Sequence, residues 1–147
     1  MNSTYPVEIE QLAPPELREV KLPMGLLGFE QVKDYLLIAN PEEEPFHWLQ
    51  VKNNSALAFV VVDPFLVAPD YHPDIPQPEV EFLGLSRPED ALLYNIVTLH
   101  GADRATINLK GPLVFNRHTM IGKQVVIANA SDYSIQHPLP QAEACAS

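Results

Sequence analysis

The residues of this chain that could do chemistry cluster at the end of one apolar run, FVVVDPFLVAPDY, at positions 59–71. Asp63 and Asp70 could face each other across the proline-rich part of this run, and paired carboxylates can perform acid–base catalysis. Each aspartate directly neighbours a proline, however, and aspartate beside proline commonly forms a turn by accepting backbone N–H groups. A turn or docking role is therefore favoured, and the alternative is a hydrolytic or small-molecule-binding site that uses Asp63, Asp70 and His72.

No other set of residues matches a known catalytic or ligand-binding pattern. The sequence lacks the GxSxG, Walker A and GxGxxG motifs, and a single cysteine, Cys145, cannot form a cysteine cluster. No two of the five histidines have the i, i+4 spacing of a zinc site; they are His47, His72, His100, His118 and His137. We therefore predict no metal and no cofactor.

The net charge of −10 is distributed unevenly along the chain. Residues 1–50 carry −6 and residues 51–100 carry −5, whereas residues 101–147 carry +1. Contacts with phosphate need lysine and arginine, so this acidity argues against binding to nucleic acid or to an anionic membrane surface. It permits a basic protein partner, or it serves solubility alone. The triple acid Glu42–Glu44 is either a solvated loop or a contact for a cation.

The composition indicates one globular domain. A chain of 147 residues with 46% apolar and 19% charged residues can bury its own core. No apolar run approaches the ~20 residues that span a bilayer, and the opening MNSTYPVEIEQL lacks the features of a signal peptide. We expect a cytoplasmic location, no membrane association, one domain over residues 1–139 and a disordered tail at 140–147.

The elements that must position the acidic and aromatic residues are predicted to be short strands. Fifteen prolines and six glycines divide the chain into segments rich in Val, Ile, Leu, Phe and Tyr. The predicted strands are Val7–Leu12, Leu17–Leu22, Tyr35–Ala39, Phe46–Lys52, Leu57–Asp63, Ala91–Leu99, Ala105–Leu109, Pro112–Asn116 and Gln124–Ala128. Short helices are predicted at Phe29–Tyr35 and at Pro78–Leu83, before Gly84. The fold class is all-β: a single compact barrel-like domain of mostly antiparallel strands with one or two short helices.

Three segments carry more specific patterns. Leu57–Val62 is apolar at every position, which predicts a central strand covered on both faces. Ala105–Leu109 alternates polar and apolar residues, which predicts one solvent-exposed face. Residues 64–78 hold five prolines and are expected to form a stiff excursion rather than a strand. The Phe65 and Tyr71 rings of this excursion either form a docking surface or fold back over the barrel.

An ordered set of eight short motifs runs through most of the chain. The motifs are LPMGLLGFE (22–30), HWLQ (47–50), LAFVVVDPF (57–65), PDY (69–71), YNIVT (94–98), INLKGPLVFN (107–116), GKQVV (122–126) and SDYSIQHPL (131–139). No single motif is diagnostic, but the ordered set resembles the flagellar assembly factor FliW family over residues 20–139. Two features depart from that pattern: Ala13-Pro14-Pro15 within the opening segment, and Gln136 where a basic residue is expected.

The resemblance implies a compact β-barrel-like fold without enzymatic activity. It implies a bacterial cytoplasmic factor that binds flagellin, the filament subunit, through the terminal helical region of flagellin. It also implies binding to CsrA, a small basic RNA-binding dimer that represses flagellin translation. Secretion of flagellin would release the factor, which would then antagonise CsrA.

Partner contacts are predicted at acidic, aromatic and amide positions in or near these motifs. The predicted partner-binding residues are Glu42, Glu43, Glu44, Asp63, Phe65, Asp70, Tyr71, Asn116, Asp132 and Tyr133. Asp63 is interpreted as the turn-forming residue at the root of the docking surface, and Asp132 as a residue that orders neighbouring amides. An acidic body would steer association with a basic partner and would repel RNA phosphates beside it.

Overall fold

The computed structural model describes residues 16–101 and 104–139. Within these ranges the chain forms nine strands and two short α-helices. The strands are β1 (Glu16–Lys21), β2 (Asp34–Ala39), β3 (Phe46–Val51), β4 (Asn54–Val62), β5 (Ala91–Leu99), β6 (Ala105–Ile107), β7 (Leu113–Asn116), β8 (Gly122–Gln124) and β9 (His137–Pro138); the helices are α1 (Pro64–Val67) and α2 (Gln77–Leu83). The predicted strand Val7–Leu12 and the predicted tail at 140–147 lie outside the described residues.

The strands pair antiparallel in the order β1-β2-β3-β4-β5-β6-β9. Strand β5 is long enough to serve two partners, because residues 97–99 pair with β6 and residues 91–94 pair with β7, which in turn pairs with β8. Strand β1 meets the β7–β8 turn through a single parallel bridge between Lys21 and Ile121. The mostly antiparallel all-β class is confirmed, and the sheet is not closed into a barrel.

Strand β4 separates two apolar clusters, and this explains why its residues 56–62 are all apolar. Val61 and Val62 are both 0% exposed and belong to different clusters, since neighbouring side chains of a strand point to opposite faces. Val61 packs with Tyr35, Leu49 and Phe115, among others, whereas Val62 packs in the cluster that contains Tyr71, Ile107 and Leu109. The prediction of a central strand covered on both faces is confirmed at this end of β4.

The helix predicted at Phe29–Tyr35 is wrong. Gly25 and Gly28 adopt positive φ angles of 68° and 88°, and this segment forms consecutive turns before β2 begins at Asp34. The Phe29 ring packs edge-on against Phe59, with the ring centroids 5.2 Å apart. An aromatic anchor and left-handed glycines therefore override the weak helical spacing.

The helix predicted at Pro78–Leu83 is confirmed as α2, which ends where Gly84 takes a left-handed φ of 70°.

Two predictions about strands are wrong in part. Only Gln124 of the predicted strand 124–128 is in β8, and the residues after it follow an irregular path. Thr106, expected on a wet face, is 1% exposed, because its hydroxyl lies 2.8 Å from Nε2 of His100 and because β9 covers that edge of β6.

Candidate protein-docking site

The excursion that follows β4 begins with a capped helix. Asp63 is the N-cap of α1, and its Oδ1 accepts a hydrogen bond from the backbone N–H of Phe65 at 2.9 Å. Pro64 occupies the first helical position, where the N–H that proline lacks would have no intrahelical partner. The turn-forming role predicted for Asp63 is confirmed, although the sequence did not reveal that the turn continues as a helix.

The two rings of the excursion lie against each other, with centroids 5.9 Å apart, but they differ in exposure. Tyr71 is 2% exposed, and its hydroxyl donates a hydrogen bond of 2.6 Å to the backbone oxygen of Leu109. Burial raises the pKa of Tyr71 to about 12, so the phenol remains a neutral donor at physiological pH. Phe65, on α1, is 43% exposed and lies beside Leu66, which is 64% exposed. Tyr71 therefore folds back onto the core, whereas Phe65 faces solvent.

A second segment, residues 128–134, holds the excursion in place. The side chain of Asn129 accepts a hydrogen bond from the N–H of Asp74 at 2.9 Å and donates one to the carbonyl of His72 at 2.7 Å. The hydroxyl of Tyr133 accepts from the N–H of His72 at 2.8 Å, and its ring meets Tyr71 edge-on with centroids 4.9 Å apart. These side-chain hydrogen bonds, together with one backbone bond of 2.7 Å from the N–H of Ala128 to the carbonyl of Asp74, thus fix the path of the excursion.

An open depression of about 470 Å³ lies between these two segments. Its lining comes from residues 68–71, Leu109, residues 132–134 and His137. The fold thereby brings together four predicted partner-binding residues that lie far apart in sequence: Asp70, Tyr71, Asp132 and Tyr133. Asp70 and Asp132 are exposed at this site, so the depression combines an aromatic wall with two solvent-accessible carboxylates.

The ordering role predicted for Asp132 is wrong. No N–H in the described ranges donates to its carboxylate, although Asp132 does end a short 3-10 turn, Ala130–Asp132. Asn129, one residue before that turn, instead bonds the backbone of the excursion, at the N–H of Asp74 and the carbonyl of His72. A side chain with both a donor and an acceptor can hold a carbonyl and an N–H at once, which a carboxylate cannot do.

The acidic turn Glu42–Glu44 leaves the sheet at the same end as the excursion. Strands β2 and β4 both pair antiparallel with β3 and so run in the same direction, and Ala39 and Val62 are their last residues. All three glutamates are exposed. Glu43 accepts a 2.9 Å hydrogen bond from Nε1 of Trp48, which holds one carboxylate against the first residues of β3.

Asn116 is placed differently from the other predicted site residues. It is 5% exposed, and its Nδ2 donates to the carbonyl of Leu83 at 2.8 Å while its Oδ1 accepts from the N–H of His118 at 2.8 Å. The side chain therefore joins the end of α2 to the β7–β8 turn. A partner contact at Asn116 stays a prediction, but the geometry gives this residue a structural task away from the depression.

The catalytic alternative finds no assembled site. One carboxylate oxygen of Asp63 is engaged as the helix cap, and Asp70 and His72 are both exposed to solvent. Across residues 16–101 and 104–139, no group of three or more His, Cys, Asp or Glu side chains is arranged to hold a metal ion. In the same ranges no helix is both long enough and apolar enough to cross a bilayer.

Sequence reasoning missed Leu109 and Asn129 as members of the site region. Leu109 contributes a backbone carbonyl, and no sequence pattern reports which carbonyl a distant hydroxyl will reach. Asn129 carried one usable signal: an asparagine next to the small residues Ala130 and Ser131 is typical of a turn that uses side-chain hydrogen bonds.

Comparisons with known proteins identify the family. The family model described as FliW protein matches residues 4–139. The flagellar assembly factor FliW of Leptospira interrogans serovar copenhageni is 41% identical over 118 residues, which cover 79% of each chain. The factor of the same name from Moorella thermoacetica is 38% identical over 119 residues, covering 80% of this chain and 75% of its own.

A solved structure agrees with these matches. The crystal structure of a flagellar assembly factor FliW superposes with a TM-score of 0.73 at 36% identity, and the superposition covers 82% of this chain and 84% of the other. FliW proteins are non-enzymatic assembly factors, so the hydrolytic alternative at Asp63 and Asp70 is wrong. This chain belongs to the FliW family of flagellar assembly factors.

Proposed function

We propose that this protein acts in the cytoplasm as a switch between two protein partners. It binds flagellin while flagellin is retained in the cell, and it binds the translational regulator CsrA and relieves repression of flagellin mRNA once flagellin is secreted. The observation that carries this proposal is that the acidic turn Glu42–Glu44 and the excursion leave the same end of the sheet, with Phe65 and Leu66 of the excursion exposed.

Helix α1 is the proposed flagellin contact. Phe65 and Leu66 project from an element whose cap and hydrogen bonds already fix its conformation, so docking costs little additional order. Exposed aromatic and aliphatic side chains on a rigid support are suited to receive the apolar face of a helix. The depression beside α1 extends this surface toward Asp70 and Tyr133.

The acidic turn Glu42–Glu44 is the proposed contribution to CsrA binding. CsrA is expected to present a basic RNA-binding surface, and a net charge of −10 would accelerate encounter with such a surface. The same charge would repel RNA phosphates near the bound regulator, so the factor need not cover the whole RNA site. Glu42 and Glu44 are exposed at the tip of the turn and are available for this role.

The two contacts can be separated with matched variants. The double variant Phe65→Ala/Leu66→Ala is expected to weaken flagellin binding by roughly tenfold or more, in the range of interface anchors. Leu99→Ala is the control, since Leu99 is 68% exposed on β5 and has no predicted role. Titration calorimetry with purified flagellin measures the effect, and unchanged affinity in the double variant would remove α1 from the site.

The CsrA contact is tested by association kinetics. Glu42→Gln/Glu44→Gln removes two charges while leaving Glu43 and its bond to Trp48 intact. The control Glu81→Gln/Glu89→Gln removes two exposed charges from α2 and from the turn before β5. We expect a severalfold slower association with CsrA at low salt for the first variant and a smaller change for the second. If the wild-type protein binds neither flagellin nor CsrA, the proposed function is overturned.

A further inference from the structure

We infer that the depression between residues 68–71 and residues 132–134 receives an arginine side chain from a protein partner. The guanidinium group would lie between the carboxylates of Asp70 and Asp132, with its stem and plane against the ring of Tyr133. This inference rests on the proposed function, because it treats the depression as part of the partner-binding surface, and it adds the chemistry of the group that the surface recognises.

The first support is the charge of the depression. Asp70 and Asp132 both line it and both are exposed, and neither forms an ion pair or accepts a hydrogen bond from the described part of the chain. Two carboxylates brought together from distant segments without a counter-charge of their own favour a cationic ligand.

The second support is the aromatic wall. Tyr133 is half-buried, and it is held by its ring contact with Tyr71 and by the hydrogen bond from His72 to its hydroxyl. A cation over a tyrosine ring is stabilised by the ring quadrupole, and the effect is strongest for a ring that need not be ordered on binding. Ala68 and Leu109 complete an apolar floor on which an aliphatic stem can lie.

The third support favours arginine over lysine. A guanidinium group is planar, it can donate to two carboxylates at once, and it stacks on aromatic rings, whereas an ammonium group is a strongly hydrated point charge. The depression is open to solvent and about 470 Å³ in volume, so it can admit one long side chain without enclosing it. A wide site with two acids and a ring therefore fits a guanidinium group better than it fits a compact ammonium ion.

The test uses the full chain and small probes, without either partner. Acetyl-arginine-amide is titrated into ¹⁵N-labelled protein, and the amide resonances of Asp70, Asp132, Tyr133 and Ser134 are followed. We expect saturable shifts centred on these residues with a millimolar Kd. Nα-acetyl-citrulline-amide has the same shape without the charge, and Nα-acetyl-lysine-amide, with a free ε-ammonium group, has the charge without the planar group. Both are therefore expected to bind at least roughly fivefold more weakly.

Matched variants locate the binding to the two carboxylates. Asp70→Asn and Asp132→Asn are each expected to weaken binding of the arginine probe by roughly fivefold, as for one partly exposed charge pair. Asp74→Asn is the control, because Asp74 is an exposed aspartate of the same excursion that does not line the depression. Equal binding of arginine and citrulline, equal loss in all three variants, or shifts elsewhere on the protein would overturn the inference.

The outcome separates this inference from the proposed function. If flagellin and CsrA bind but the arginine probe does not shift the amide resonances of the depression, the inference is wrong and the partner switch stands. If the probe binds and Asp70→Asn weakens it while neither partner binds, the arginine site stands and the partner switch is wrong.

Discussion

Two loops of this protein begin with the same local structure and end very differently. The Asn40-Pro41-Glu42 turn follows β2, and Asp63-Pro64-Phe65 follows β4. In both, the side chain of the first residue accepts a hydrogen bond from the N–H two residues later, at 3.2 Å for Asn40 and 2.9 Å for Asp63. Both loops leave the same end of the sheet, because β2 and β4 run in the same direction.

The loops diverge after the capping residue. The first forms a 3-10 turn, Pro41–Glu43, with no buried residue, and it returns at once to β3. The second forms α1 and then descends to Tyr71, which is 2% exposed and bonded to the carbonyl of Leu109. An asparagine or aspartate followed by proline thus specifies how a loop starts, whereas a buried ring specifies whether the loop has one path.

Tyr71→Ala is expected to have the largest effect on this difference, because it removes the buried ring that fixes the path of the second loop. Removing this buried ring leaves a cavity, leaves the carbonyl of Leu109 without its hydrogen-bond donor and removes the ring that Tyr133 packs against. We therefore expect a loss of about 3–5 kcal/mol in the free energy of unfolding. Chemical denaturation measures the loss. The control is Phe65→Ala, which truncates an exposed ring and is expected to cost less than about 1 kcal/mol. Similar losses in both would contradict the assignment of Tyr71 to the core.

High pH should weaken the excursion through the same residue. Burial raises the pKa of Tyr71 to about 12, above the ordinary value of roughly 10 for tyrosine. The unfolded chain therefore releases this proton first, so the contribution of Tyr71 to stability is present below pH ~10 and is lost as the pH rises through about 12. The denaturation midpoint of Tyr71→Phe should decline less steeply over this interval; an identical decline would mean that other groups carry the effect.

Asn129→Ala tests whether the second segment holds the excursion. The variant loses one bond from the N–H of Asp74 and one to the carbonyl of His72, and we expect a cost of about 2 kcal/mol. Amide hydrogen exchange should accelerate at Asp74 beyond the global effect. Asn53→Ala, in the exposed β3–β4 turn, is the control and should be near neutral. Unchanged protection at Asp74 would show that the excursion does not depend on Asn129.

The smallest expected effect compares the two caps directly. Asp63→Ala should cost about 1 kcal/mol because it uncaps a helix, whereas Asn40→Ala should cost about 0.5 kcal/mol or less because its exposed turn can rearrange. Thermal unfolding of the two variants side by side measures the difference. A larger loss for Asn40→Ala would mean that the acidic turn is the more ordered of the two loops.

Patterns that depend on neighbouring residues were predicted correctly. The uninterrupted apolar run of β4, the helix that ends at Gly84 and the turn at Asp63 all follow from burial, glycine conformation or side-chain capping within a few positions. The helix expected at Phe29–Tyr35 failed because its fate depends on Phe59, which lies on another strand. The exposed face expected at Thr106 failed because His100 and β9 cover it.

The sequence by itself determined the class of this protein: many short strands, an acidic body without a catalytic motif, and an ordered set of motifs that identifies the FliW family. The tertiary structure alone decided which acids and rings share a surface. Asp70 and Asp132 line one depression because Tyr71 and Asn129 hold two distant segments together, and hydrogen bonds to backbone carbonyls leave no signature in the residues that supply them.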